Sequence, residues 1–150
     1  MVIKKKLMDH CHQYVNSRID HAQKAIIELQ SSANEETKSS AGDKYETGRA
    51  MIQIEIQNLK MQLSESLKLK QILNQIDITD KINRIGPGSI VKTDSANYFL
   101  AISAGTFSIE NEKYYTMALD APVAMLLKGL VKGDIFIFNK RNITIKEVCC

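Results

Sequence analysis

Hydrophobic side chains in the first half of the chain recur at the spacing of an α-helix. One series, with a single polar member, comprises Met8, His12, Val15, Ile19, Ala22, Ile26, Leu29 and Ala33. A second series follows, comprising Tyr45, Ile52, Ile56, Leu59, Leu63, Leu67, Leu73 and Ile76. In the first series the steps alternate between three and four residues and form a heptad seam, the pattern of paired helices, whereas the second series drifts in phase before Leu73. The pattern therefore predicts two long helices, the second over about residues 42–75.

A polar segment separates the two series. Residues 34–44 contain no large apolar side chain and hold both Ser and Gly, which is typical of a turn between helices. Ser40 with Asp43 resembles a capping box, and Asp43 and Glu46 would lie favourably in the first turn of the second helix. Two helices joined by a short turn predict an antiparallel coiled-coil hairpin over residues 1–78, with its tip at about 34–44 and little core.

The pattern changes after residue 78 to short β-like runs punctuated by Gly and Pro. Strands are expected near residues 89–93, 97–103, 114–119, 134–138 and 142–148. Pro122 near a start and Gly129 after an end predict one short helix between the third and fourth of these strands. The fold class is therefore α+β: a helical hairpin, a linker over residues 79–85, and a domain over residues 86–150 with a small, mostly antiparallel sheet.

Composition narrows the function classes. No apolar run approaches the ~20 residues that a bilayer span needs, so we expect a cytoplasmic protein without a membrane partner. The net charge of +3 arises from the second half of the chain, where it is spread over about 70 residues instead of being clustered, which argues against sequence-specific DNA binding. The three Cys show no CxxC spacing and are expected to be reduced. His10, Cys11 and His12 are consecutive, and side chains about 100° apart on a helix do not converge on one metal ion.

Several motifs occur in the second half in the order that a known family has them. The chain resembles the Gre family of bacterial transcript cleavage factors (GreA/GreB), in which the corresponding patterns are Gly-Ser-x-Val, Ser-Pro-hydrophobic-Ala, Leu-hydrophobic-Gly-Lys and Gly-Asp-hydrophobic. The matching segments here are Gly88-Ser89-Ile90-Val91, Asp120-Ala121-Pro122-Val123-Ala124, Leu126-Leu127-Lys128-Gly129 and Gly133-Asp134-Ile135-Phe136-Ile137. With the hairpin, the resemblance covers nearly the whole chain.

The resemblance implies a role in transcription elongation. The C-terminal domain would have the FKBP-like fold and dock at the secondary channel of RNA polymerase through Asp120, Ala121, Pro122, Val123 and Leu126. The hairpin tip would enter the channel, where acidic residues help to hold a second Mg²⁺ and an attacking water at the 3′ end of a backtracked transcript. Carboxylates suit this task because they are hard oxygen ligands. The protein would be a monomer that stimulates hydrolysis by the polymerase, is no enzyme alone, and has no metal of its own.

The tip departs from the family pattern Asp-x-x-Glu-Asn-Ala-Glu-Tyr. If Tyr45 takes the place of its Tyr, the Asp and the first Glu fall on Lys38 and Ala41. The acids that remain as candidates for the catalytic role are Glu35, Glu36, Asp43 and Glu46, with Asp43 and Glu36 as possible Mg²⁺ ligands inside the polymerase. Asp43 and Glu46 would also stabilise a helix N-terminus, by about 0.3–1 kcal/mol each. Acids at the end of the first helix oppose the helix dipole and favour a functional role.

Other functions remain as alternatives. The substitutions at Lys38 and Ala41 favour a regulator that binds the secondary channel without promoting cleavage. A protein of another class, a coiled-coil interaction module, would use the seam to dimerise. An independent cysteine-dependent enzyme is disfavoured because Cys11 and all three His lie in the helical half. Prolyl isomerisation would rest on analogy of fold alone.

Overall fold

The computed structural model describes residues 2–37, 42–79 and 84–149, with side chains excepted over 35–37 and 42–47. Its elements are α1 (Val2–Thr37), α2 (Gly42–Gln75), β1 (Ile90–Thr93), β2 (Asn97–Ala101), β3 (Thr106–Ile109), β4 (Glu112–Ala118), α3 (Pro122–Leu127), β5 (Ile135–Phe138) and β6 (Arg141–Cys149). The α+β class and both long helices are confirmed. None of the described helices is long and apolar enough to cross a membrane.

The chain forms two compact units. One consists of Val15–Lys70, and the other of Met1–Tyr14 with Gln71–Cys150. The first turns of α1 and the last turn of α2 thus belong to the same unit as the sheet.

The helical unit buries one stripe on each helix. Ala22, Ile26 and Ala33 of α1 are buried, as is Ile56 of α2. All four buried residues belong to the unit Val15–Lys70, and all four are predicted seam positions. The seam residues therefore supply buried apolar side chains to this unit.

One predicted seam position in α2 is wrong. Leu67 is 48% exposed, whereas Ser66 is buried. The alternating steps of four and three residues that run through Ile56, Leu59 and Leu63 lead next to residue 66. Residue 67 lies about 100° further round the helix, so Leu67 is exposed although it is more hydrophobic than Ser66.

The six strands form a sheet of order β3-β4-β2-β1-β6-β5. Every neighbouring pair is antiparallel except β2 and β4, which are parallel, so the mostly antiparallel sheet is confirmed. The sequence did not predict β3, which pairs with β4 through a two-residue turn at Glu110 and Asn111. Both turn residues have positive φ, 51° and 65°, a conformation that Asn adopts readily and Glu rarely.

Each face of the sheet is covered by different elements. On one face, Val91, Leu100 and Phe136 pack with Leu127 of α3 in a single hydrophobic cluster. On the other face, the His10 ring from α1 stacks on Phe107, with ring centroids 4.4 Å apart.

The residue that follows α2 lies close to the segment that precedes β1. Gly88 has φ +83°, and a Cβ at this position would lie 2.7 Å from the Cγ2 atom of Ile76. Glycine is required here both by the backbone conformation and by the close approach.

Candidate functional site

The predicted tip acids lie on either side of residues 38–41 in the sequence, at the end of α1 and at the start of α2. Glu35 and Glu36 fall in the last turn of α1, and Asp43 and Glu46 in the first two turns of α2. The side chains of all four acids, and Lys38 and Ala41 as whole residues, lie outside the described part of the structure. No basic residue occupies the last turn of α1, so nothing there complements the helix dipole.

The predicted docking segment forms the short helix α3. Ala121 precedes it in an extended conformation, with φ −63° and ψ 149°, and Pro122 supplies the first helical residue. Proline suits this position because its missing N–H has no partner inside a helix and its φ is already helical. Gly129 has φ +81° and ends the helix. Its N–H donates to the carbonyl of Ile85 at 2.9 Å.

Two backbone hydrogen bonds fix the end of α3 to the segment before β1. Besides the bond from Gly129, the N–H of Ile85 donates to the carbonyl of Leu130 at 2.9 Å. Ile85 is itself buried in the cluster that holds α3. The helix is therefore anchored by main-chain bonds as well as by packing, and its outer surface is preorganised.

The structure divides the predicted docking residues into two groups. Asp120, Pro122 and Leu126 are exposed, and Leu126 retains 43% of its accessible surface. Val123 is 8% exposed and belongs to the core, and Ala121 is half-buried against that core. Val123 therefore supports the helix from beneath instead of presenting a side chain to a partner.

One exposed residue of this surface was missed by the sequence reasoning. Met125 is 59% exposed and lies beside Leu126 on α3. We define the α3 surface as Asp120, Pro122, Met125 and Leu126. It combines one carboxylate with three apolar side chains, a composition suited to binding another protein. The spacing of residues could have indicated this exposure. With Ala124 and Leu127 at the inward positions of so short a helix, residue 125 lies on its outer side.

A polar network crosses three strands of the sheet. Lys92 Nζ lies 3.1 Å from Glu112 Oε2, and the same oxygen accepts hydrogen bonds from the Asn97 amide and the Tyr114 hydroxyl, both at 3.2 Å. The hydrogen bond between Lys92 and Glu112 lowers the pKa of the Glu112 carboxyl and raises that of Lys92. The register brings these residues together, since Lys92 pairs with Asn97, and Asn97 with Tyr114. The network joins β1, β2 and β4.

The His-Cys-His segment of α1 is engaged in packing. Nε2 of His10 lies 3.0 Å from the carbonyl oxygen of Ala104, and because a carbonyl oxygen only accepts, this nitrogen carries the proton. Cys11 is fully buried, which raises the pKa of its thiol to about 12. Over residues with described side chains, no group of three or more His, Cys, Asp or Glu lies close enough to hold a metal ion.

Comparisons with known proteins gave one similar structure. No family model matches the chain, and no curated protein matches it. The solved structure of the transcription factor Gfh1 is 15% identical in sequence and covers 94% of this chain and 92% of that chain, with a TM-score of 0.35. At this TM-score the similarity carries no conclusion about fold or function.

Proposed function

We propose that this protein is a Gre-like factor that binds RNA polymerase at its secondary channel and acts on backtracked complexes by stimulating transcript cleavage. One arrangement carries the proposal. Helices of 36 and 34 residues, joined by four residues and with acids near the joined ends, precede an α+β domain that exposes Asp120, Pro122 and Leu126 of the family-like segment. In this proposal residues 86–150 have the FKBP-like fold.

The two parts have separate tasks. The α3 surface docks on the polymerase, where Pro122, Met125 and Leu126 lose contact with water. The tip acids, Glu36 and Asp43 first among them, supply carboxylate oxygens to a Mg²⁺ ion that the polymerase holds, and this ion stabilises the attacking oxygen. The protein binds no Mg²⁺ by itself in this scheme.

The test is RNA cleavage in a stalled, backtracked elongation complex of the cognate RNA polymerase. The intact protein should release short 3′ fragments and leave transcripts that can be extended. Glu36→Gln or Asp43→Asn should abolish release while leaving polymerase binding intact. Glu55→Gln is the matched control, since Glu55 is an exposed acid on α2 away from the tip. Equal cleavage by all four proteins would contradict the role of the tip acids.

Docking is tested separately by polymerase binding. Leu126→Lys should weaken binding, because it places a charge in the apolar part of the α3 surface. Val2→Lys is the control, since Val2 is 67% exposed and lies on α1. Unchanged affinity for Leu126→Lys would remove α3 from the docking surface.

A second candidate within the same class is a regulator that occupies the channel without cleavage. Lys38 and Ala41 favour it, because they stand where the family pattern has carboxylates. Polymerase binding without fragment release from any backtracked complex would establish this function. The interaction module is disfavoured, because Ile26 and Ile56 of the seam are already buried within the chain.

A further inference from the structure

The sheet has two edge strands, β3 and β5, and both belong to hairpins of the same kind. β3 is joined to β4 through Glu110 and Asn111, and β5 to β6 through Asn139 and Lys140. All four turn residues have positive φ, the pattern of a type I′ turn. The two edges are therefore comparable in geometry, and their side chains can be compared directly.

The turn determines which backbone groups of β5 point outward. In a hairpin with a two-residue turn, the residues that flank the turn, Phe138 and Arg141, exchange hydrogen bonds, and bonding then alternates along the pair. Ile135, opposite Thr144, and Ile137 therefore direct their N–H and C=O groups away from β6.

Hydrogen bonds around β6 agree with this alternation. The N–H and C=O of Thr144 both bond to Asp94, on the side away from β5, at 3.1 and 3.2 Å. Ile145 N–H donates to the carbonyl of Asp134 at 2.9 Å, as the alternation requires. Within the described ranges, no backbone bond outside the ladder with β6 reaches residues 135–138.

The two edges differ in the side chains that accompany their outward backbone groups. On β3 the outward residues are Thr106 and Ser108, both small and polar. On β5 they are Ile135 and Ile137, which are 62% and 65% exposed. Proteins ordinarily protect an edge strand with a charge, a proline or a bulge, and β5 itself has the sequence Ile-Phe-Ile-Phe. Its edge therefore offers both unpaired backbone groups and apolar surface.

Charges next to β5 are mainly basic. Within three residues of its ends lie Lys132, Lys140 and Arg141, all exposed, and one acid, Asp134. The carboxylate of Asp134 already accepts a hydrogen bond from the N–H of Val131 at 2.9 Å. The edge is thus an apolar strand with a positive charge at each end.

We propose that the open edge of β5 binds an extended segment of a partner protein, which adds a seventh strand to the sheet and carries apolar side chains at alternate positions and carboxylates at its ends. The backbone groups of Ile135 and Ile137 supply the hydrogen bonds, and their side chains select the apolar positions. The basic residues at the two ends select the carboxylates. This inference is independent of the proposed role at RNA polymerase.

A second copy of the chain fits the same edge less well. If two β5 strands paired antiparallel with Ile135 opposite Ile137 of the other copy, the same register would place Lys132 opposite Lys140 twice. Like charges directly opposite each other in a sheet are destabilising. An acidic partner segment turns these repulsions into attractions.

The experiment uses the full chain, labelled with ¹⁵N, and a capped synthetic peptide, Asp-Glu-Val-Thr-Val-Thr-Glu-Asp. Amide chemical shifts should change in β5 and β6 on titration, with cross-strand NOEs to Ile135 and Ile137. A peptide with Lys in place of all four acids should bind at least about tenfold more weakly, equivalent to ~1.4 kcal/mol. Ile137→Lys should weaken binding of the acidic peptide by about the same factor.

Matched variants make the result specific to the edge. Ile27→Lys replaces an isoleucine of the same 65% exposure on α1 and should leave peptide binding unchanged. If the amide spectrum shows that Ile137→Lys is unfolded, Ile135→Thr is used in its place, because threonine keeps a β-branched side chain at the edge. Shifts outside β5 and β6, no shifts, or equal binding of both peptides would overturn the proposal. So would a dimer in sedimentation equilibrium that Ile137→Lys abolishes, because a second copy would then occupy the edge.

Discussion

Adjacent leucines on α3 should respond very differently to truncation. Leu127 is fully buried, whereas Leu126 is 43% exposed. Leu127→Ala removes three buried carbons, worth ~2.4 kcal/mol by transfer at about 0.8 kcal/mol each. The cavity left behind raises the expected loss in the free energy of unfolding to about 2–5 kcal/mol. Leu126→Ala loses at most a little over half of the transfer energy, about 1.4 kcal/mol, because water fills the space.

Urea unfolding followed by resolved amide signals from β1, β5 and β6 measures this difference in the unit that contains α3. The unit-specific probe is needed because the chain forms two compact units, and a whole-chain signal would mix them. Equal losses for the two variants, or a loss below about 1 kcal/mol for Leu127→Ala, would refute the assignment of Leu127 to the core. Under the proposed function, Leu126→Ala nevertheless weakens polymerase binding more than Leu127→Ala does at temperatures where both variants are folded.

Three further outcomes follow from the geometry. Gly88→Ala should lower the melting temperature far more than Gly105→Ala, because both have positive φ but only the first would bring a Cβ to 2.7 Å from an isoleucine methyl group. The pKa of Glu112 is lowered in the folded state by Lys92, so its contribution to stability is present above the unfolded pKa and lost as the pH falls through the folded one. Urea midpoints of Glu112→Gln should therefore depend less on pH in the acid range. Cys11, buried with its pKa raised to about 12, should react with a thiol reagent only on unfolding, as mass spectrometry of the labelled chain would show.

The long helices were predictable from the sequence because their periodicity extends over many residues. α2 begins and ends where the pattern places it, at Gly42 and Gln75. Leu67 was assigned to the seam because it is hydrophobic. Burial depends on the angular position around the helix, and residue 66 is at the buried position, so Ser66 is buried and Leu67 is exposed.

Part of the sheet was not predictable. β3 has four residues, of which Thr106 and Ser108 are polar, so its alternation is too short to distinguish from a loop. The parallel pairing of β2 with β4 depends on β3 turning back along the edge, which is a property of the whole sheet. The polar network at Glu112 could not be predicted from the sequence either, because only the pairing of strands brings Lys92 close to a residue twenty positions away.

The two ends of α3 follow the usual residue preferences for helix ends, whereas the last turn of α1 does not. α3 begins at a proline and is followed by a glycine of positive φ, so it follows the rules for helix ends. The last turn of α1 carries Glu35 and Glu36 and no basic residue, and each acid there costs about 0.3–1 kcal/mol against the dipole. Stability alone would select lysine or arginine at these positions. Sequences that depart from a local rule are expected to do so at functional sites, which supports Glu36 as one of the first residues to substitute.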